Sequence, residues 1–129
     1  PLAKIASGGE LSRVMLALQT ILNKEDIVPV LIFDEVDSGI GGKVAEKVAI
    51  RLKRIASQKQ VFCITHLPQI AGMANSHYSI QKVVSEERTY TSIHELDLEE
   101  RIEEIARMSG GEKITETTRK HAREMINPG

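Results

Sequence analysis

Tryptophan is absent from this sequence, phenylalanine and tyrosine occur twice each, and cysteine occurs once. So sparse an aromatic content leaves no series of rings on which nucleic-acid bases could stack. The single thiol, Cys63, has no partner within the chain. Lying in an apolar run, it is expected as a buried thiol in a reducing compartment. Charge of one sign is lacking too: 17 basic residues against 18 acidic ones leave a formal net charge of −1. That balance removes any global pull toward nucleic acid or an anionic membrane. No apolar run approaches the ~20 residues that span a bilayer. Residues Pro1 to Arg13 turn polar and glycine-rich too early for a secretory signal. Low-complexity tracts and internal repeats are also missing. Because the chain opens at Pro1 rather than at Met, it is expected to be a piece of something longer.

What remains is ordinary for a water-facing globular domain: 129 residues, 41% hydrophobic and 27% charged, enough for one domain with a real core. Leu11, Val14, Met15, Leu18 and Leu22 follow helical spacing, and Leu16, Ala17 and Ile21 widen the stripe. A largely buried helix is expected over Leu11–Asn23. Val30–Phe33 and Val61–Thr65 are continuous apolar runs of strand length, the pattern of strands covered on both faces. Between them a helix is expected over Lys43–Ser57, with Val44, Val48, Leu52 and Ile55 inward. Strand, helix and strand at this spacing predict parallel pairing through a right-handed crossover. Beyond His66 the β-branched stretches His77–Val84 and Thr89–Leu96 flank polar Ser85–Arg88 and predict a hairpin. Glu99–Met108 and Thr115–Ile126 predict two helices, joined at Gly110-Gly111. The fold class is therefore α/β: a mostly parallel sheet with flanking helices, then an antiparallel hairpin and C-terminal helices. Residues 1–129 are expected to form one domain, with a core over 1–76 and the hairpin and two helices over 77–129.

Three features carry chemistry, and their order matters. Ser7-Gly8-Gly9-Glu10 sits at the mouth of the first helix. Its glycines allow close backbone approach to an anion, and the helix start offers free N–H groups and a positive dipole end. The same Ser-to-Glu spacing is also that of a capping box, which merely starts a helix. The second feature is the apolar strand ending in Asp34-Glu35. Carboxylates at the carboxyl end of a parallel strand lie where ligands bind in open α/β sheets. Asp34 suits Mg2+, as the Walker B Asp does in phosphate-loop NTPases, and Glu35 suits the activation of a water. The third is His66, directly after the second strand and at the same sheet edge. There an imidazole can hydrogen-bond a γ-phosphate or the attacking water.

A glycine-rich loop, helix, acidic strand, second glycine-rich loop with Asp37, helix, strand and histidine, in that order, resemble the C-terminal part of an ABC-type ATPase head. By that resemblance Ser7, Gly8, Gly9 and Glu10 form the signature loop, VLIFDE is the Walker B strand, Val36-Asp37-Ser38 lies in the D-loop and His66 is the switch histidine. SGGELSRVMLALQ, FDEVDSGIGGKVAEKV, THLPQIA and IARMSGG are similar to the RecN family of bacterial SMC-like DNA repair ATPases, from Leu2 to about Ile126. Ser109 departs from that pattern, where an apolar residue is expected.

The resemblance implies ATP and Mg2+ as cofactors, with Asp34 on the metal, Glu35 and His66 catalytic, and Ser7 to Glu10 and Asp37 binding nucleotide. It implies as partners an N-terminal head lobe that carries Walker A, a second head joined through ATP, and DNA, with no membrane. A cytoplasmic, nucleoid-associated protein that couples ATP hydrolysis to double-strand break repair and recombination is the expectation. The alternative is the nucleotide-binding subunit of an ABC transporter, in which Gln commonly stands at the Glu10 position. A non-enzymatic binding module with the motifs as remnants is a further alternative, against which Asp34, Glu35 and His66 are all present.

Two stretches imitate these motifs. Gly39 to Val44 suggests a phosphate loop, but GxxxxGK(S/T) needs Gly at 37 and Ser or Thr at 44, where Asp and Val stand. No other stretch fits, so the chain lacks a Walker A lysine and is expected to be inactive alone. Ser109-Gly-Gly-Glu112 repeats the first loop but follows a helix, so a helix stop explains it. Lys43, Lys47, Arg51 and Arg54 form a basic stripe on the outer face of the second helix, next to Glu46. Such a stripe serves DNA phosphates or simply water.

Overall fold

The computed structural model describes residues 14–22 and 27–127. The chain divides into two compact units, Pro1–Met73 and Ala74–Gly129. In the first unit helix α1 covers residues 14–22, followed by strand β1, Val30–Asp34, helix α2, Gly42–Ala56, strand β2, Gln60–Ile64, and a short helix α3, Pro68–Ala71. Strands β1 and β2 pair in parallel, with Leu31 opposite Val61, Phe33 opposite Cys63 and Asp34 opposite Ile64. The crossover through α2 is what brings two parallel strands side by side.

Helix α2 is amphipathic because its apolar residues recur every three or four positions. Ala45, Val48, Ala49, Leu52 and Ile55 are all buried, and they pack with Leu18 of α1 and Ile70 of α3 into one core. Leu31, Phe33, Val61 and Cys63 close that core from the sheet side. Lys53 and Arg54 occupy the last turn of α2, where cations favour the negative end of the helix dipole. Gly42 starts α2 hard against α3: a Cβ there would lie 3.1 Å from the Gln69 amide nitrogen. The four-residue α3 has Pro68 in its first turn, a position that needs no N–H. Sequence patterning does not reveal α3, because so short a segment carries no periodicity.

Two expectations are corrected. Among the described residues the strands are covered on one face only, and burial alternates along both. Ile32 is 71% exposed, Phe62 51% and Ile64 50%, because the described helices of this unit pack against the opposite face. Of the helix expected over Leu11–Asn23, residues 11–13 and 23 lie outside the described residues; over 14–22 it is half-covered rather than largely buried, with Leu18 in the core and Leu16 and Ala17 facing outward. In both cases the sequence carries more apolar surface than the described residues bury.

In the second unit strands β3, Tyr78–Ser85, and β4, Arg88–Glu95, form an antiparallel hairpin, followed by helices α4, Leu98–Gly110, and α5, Glu116–Ile126. Each helix opens on a capping box. Asp97 accepts from the Glu100 N–H at 2.9 Å while Glu100 accepts from the Asp97 N–H, and Thr115 and Thr118 do the same for α5. Ile102, Ile105, Ala106 and Ala122 are the buried apolar residues of the two helices. At their joint Gly111 adopts a φ of 73° and donates to the Arg107 carbonyl, so the second SGGE ends a helix. Ser109 is exposed and its hydroxyl donates back to the Ile105 carbonyl at 2.7 Å, so the departure there disturbs no packing. No described helix is long and apolar enough to cross a membrane.

The hairpin turns on Glu86 and Glu87, both in the left-handed region with φ of 45° and 65°. Two-residue hairpin turns of this kind favour Asn-Gly, since other residues are strained there. Glu86→Asn with Glu87→Gly should therefore stabilise the hairpin by about 1 kcal/mol, read as slowed amide exchange along β3 and β4 with no change in the first unit.

Candidate functional site

Parallel pairing sets the carboxyl ends of β1 and β2 at one edge, because Asp34 stands opposite Ile64. The chain leaves β1 through Glu35, whose φ of 54° is left-handed. A non-glycine residue costs roughly 1–2 kcal/mol in that conformation, and such strain gathers at functional positions. Asp34 and Glu35 are both exposed. The turn is closed by the Ser38 N–H donating to the Glu35 carbonyl at 3.1 Å and the Ile40 N–H donating to the Asp37 carbonyl at 3.3 Å. Gly39, with φ of 76°, supplies the left-handed step before α2.

Asp37 is the hub of this edge. Its side chain is 1% exposed, and it is the one buried charged residue among the described residues. One carboxylate oxygen, Oδ2, accepts from the Thr65 hydroxyl, from the His66 N–H at 2.9 Å, and lies 3.1 Å from His66 Nδ1. Thr65 Oγ1 in turn accepts from the Leu67 N–H at 3.0 Å, which ties the network to the start of α3. Burial alone would raise the Asp37 carboxyl. The bonds from Thr65 and from the His66 and Asp37 N–H groups, with the nearby imidazole, outweigh it and hold the group below the usual carboxylate range. The His66 ring itself is 74% exposed, so its far edge reaches solvent. Behind the network, burial first and the Asp37 charge second push the Cys63 thiol up to about 11, which leaves it inert near neutral pH.

The chain is 51% identical to DNA repair protein RecN of Treponema pallidum (strain Nichols) over all 129 residues, a match that covers 22% of that protein. It is 49% identical to DNA repair protein RecN of Halalkalibacterium halodurans over 98% of this chain and 22% of that protein. With DNA repair protein RecN of Bacillus subtilis (strain 168) the identity is 46% over 97% of this chain and 22% of that protein. The chain belongs to the RecN family. It spans about a fifth of the length of these RecN relatives, at 22%. No family model matches it.

Of the site residues expected from sequence, Asp34, Glu35, Asp37 and His66 of this RecN-family chain gather at the same sheet edge. Ser7, Gly8, Gly9 and Glu10 lie outside the described residues. Asp37 is expected from sequence among the nucleotide-binding residues; with its carboxylate buried and engaged, a ligand would meet it only through its backbone. Sequence reasoning passes over Thr65, whose only signal is a hydroxyl directly before a strand-end histidine. Among the described residues no group of three or more His, Cys, Asp or Glu side chains is placed to hold a metal ion. Mg2+ seldom needs one, since it takes one or two carboxylates and fills the rest with water and phosphate oxygens. The exposed Asp34 carboxylate fits that donor set.

Removing the hub should be costly. Asp37→Ala leaves the Thr65 hydroxyl and the His66 N–H without their acceptor, a destabilisation of about 1–3 kcal/mol in urea unfolding at neutral pH. The sign of its pH dependence follows from the depressed carboxyl. The contribution is complete above the unfolded value of about 3.9 and is lost as pH falls through the lower folded value. The stability gap between the native chain and Asp37→Asn should accordingly close in acid; a gap that widens there would contradict the assignment.

Proposed function

We propose that this chain is the C-terminal part of an SMC-like ABC ATPase head, of the phosphate-loop NTPase type, that hydrolyses ATP between two engaged heads in DNA double-strand break repair and recombination. The observation that carries the reading is the placement of Asp34, Glu35 and His66 at the carboxyl ends of two paired parallel strands. The names of the relatives support the repair context.

In this reading Asp34 holds Mg2+, which when bound neutralises charge on the nucleotide phosphates. Glu35 accepts the proton of the attacking water, and the exposed His66 ring hydrogen-bonds the water or the γ-phosphate. Ser7, Gly8, Gly9 and Glu10 face ATP held by the second head, where backbone N–H groups and a helix start favour phosphate. The missing Walker A lysine comes from an N-terminal lobe. The uncovered apolar sheet face, Val30, Ile32, Phe62 and Ile64, supports such a lobe. Burying apolar area of that kind yields about 25 cal/mol per Å2. The transporter reading draws no support from these relatives, each named for DNA repair.

DNA contact in the full-length protein is supported by α2. Lys43, Lys47 and Arg54 are exposed on it, and Arg51 is steadied by a 2.8 Å bond to Gln19. No ion pair to Lys43, Lys47, Lys53 or Arg54 occurs among the described residues. Such a row suits phosphates rather than bases.

Two outcomes check the reading. In a head completed with its Walker A lobe, Glu35→Gln should retain ATP binding and lose turnover by roughly 100-fold or more; normal turnover would assign the base elsewhere. Charge reversal at Lys43 and Lys47 in the full-length protein should weaken DNA binding and flatten its salt dependence by about one unit for each phosphate no longer neutralised. An unchanged salt slope would free α2 of that role.

A further inference from the structure

Resting on the proposed ATPase reading, we infer that Thr65 is a positioning residue that aims His66 through the backbone on either side of the histidine. The direction in which a side chain leaves its Cα is set by the two peptide planes that flank it. The plane before His66 carries the His66 N–H, which donates to Asp37 Oδ2 at 2.9 Å. The plane after it carries the Leu67 N–H, which donates to Thr65 Oγ1 at 3.0 Å. The Thr65 hydroxyl in turn donates to the same Asp37 oxygen. Both planes are therefore pinned, one to the carboxylate directly and the other through Thr65. This fixes φ and ψ of His66, and with them the direction of its Cα–Cβ bond, while the side chain beyond stays 74% exposed.

A hydroxyl is the group this place requires. One oxygen must donate to a carboxylate and accept from an amide two residues on, and among short side chains Ser and Thr do both. The bond from the Leu67 N–H is the local turn that such hydroxyls form. β-Branching helps as well, since it stiffens χ1 and so holds the oxygen in place. The anchors at both ends are firm. Asp37 is 1% exposed, so water does not take over from a lost donor. Thr65 directly follows β2, whose Ile64 pairs with Asp34. Leu67 opens α3, its carbonyl accepts from the Ile70 and Ala71 N–H groups at 3.1 Å each, and Ile70 is buried in the core. His66 thus sits between strand and helix with the N–H groups on both sides of it spent in one network.

One arm of the test needs no catalysis. Amide exchange at Leu67 and the HN–Hα coupling of His66, which reports its φ, are measured in this chain. Thr65→Val keeps the shape of the side chain but neither donates nor accepts. It should speed Leu67 exchange by roughly 5–10-fold and move the His66 coupling toward an averaged value, whereas Thr65→Ser should keep both native. Unchanged exchange and coupling in a folded Thr65→Val overturn the inference. If Thr65→Val does not fold, adding Asp37→Asn removes the buried charge left short of a donor, and the same readings decide. In the second arm, a head completed with its Walker A lobe should lose kcat by roughly 10–100-fold in Thr65→Val with KM for ATP unchanged, and Thr65→Ser should restore it. Native kcat in Thr65→Val would overturn the positioning role, as would a raised KM at constant kcat. A native completed head without ATPase activity would sink the ATPase reading, while exchange and coupling would still decide whether Thr65 aims His66.

Discussion

One buried carboxylate ties together the two loops at the carboxyl edge of the β1–β2 sheet. Asp37 lies in the loop after β1, yet its carboxylate accepts from the Thr65 hydroxyl and the His66 N–H just beyond the end of β2. Strand pairing alone brings the two strand ends to one edge; Asp37 locks the loops beyond them. Without that tie, the exposed Asp34 and Glu35 and the exposed imidazole would each sit on an independent turn. Desolvating a charge is expensive, and it is tolerated here because the Thr65 hydroxyl and the His66 N–H donate to the carboxylate.

The core lies directly behind this edge. Helix α2 buries an unbroken apolar face on Leu31, Phe33, Val61 and Cys63, so the two strands cannot shift relative to each other without opening the core. Gly42 lets α2 begin directly beside Gln69 of α3, which follows His66 in the chain. Both loops of the edge therefore run straight into helices packed on the same core. Rigid support of this kind is what a site needs when its groups must stay within a fraction of an ångström of productive geometry.

Much of this is legible in the sequence. Both strands, the α2 helix and its inner face, the hairpin and the two C-terminal helices follow from periodicity and from turn residues, with boundaries within a residue or two. The edge of Asp34, Glu35 and His66 follows from where the apolar runs stop. The limits are physical. Val30–Phe33 reads as buried on both faces because hydropathy records what a strand is built to meet, and the described residues cover only one face. Leu16 misleads in the same way. The inward turn of Asp37 leaves no trace, since an aspartate in a glycine-rich loop looks the same whether it faces a ligand or a neighbouring strand. Thr65 stays hidden because a hydroxyl at a strand end has many ordinary uses.

In the function proposed for it, this chain holds half of a divided nucleotide site: a metal-binding carboxylate, a base and a histidine, without the lysine that grips phosphate. Calorimetric titration with Mg-ATP tests it most directly, on the chain alone and on the chain joined to a lobe that carries Walker A. Little binding is expected for the chain alone, and clear binding once the lobe is present. Tight Mg-ATP binding by the isolated chain would contradict it.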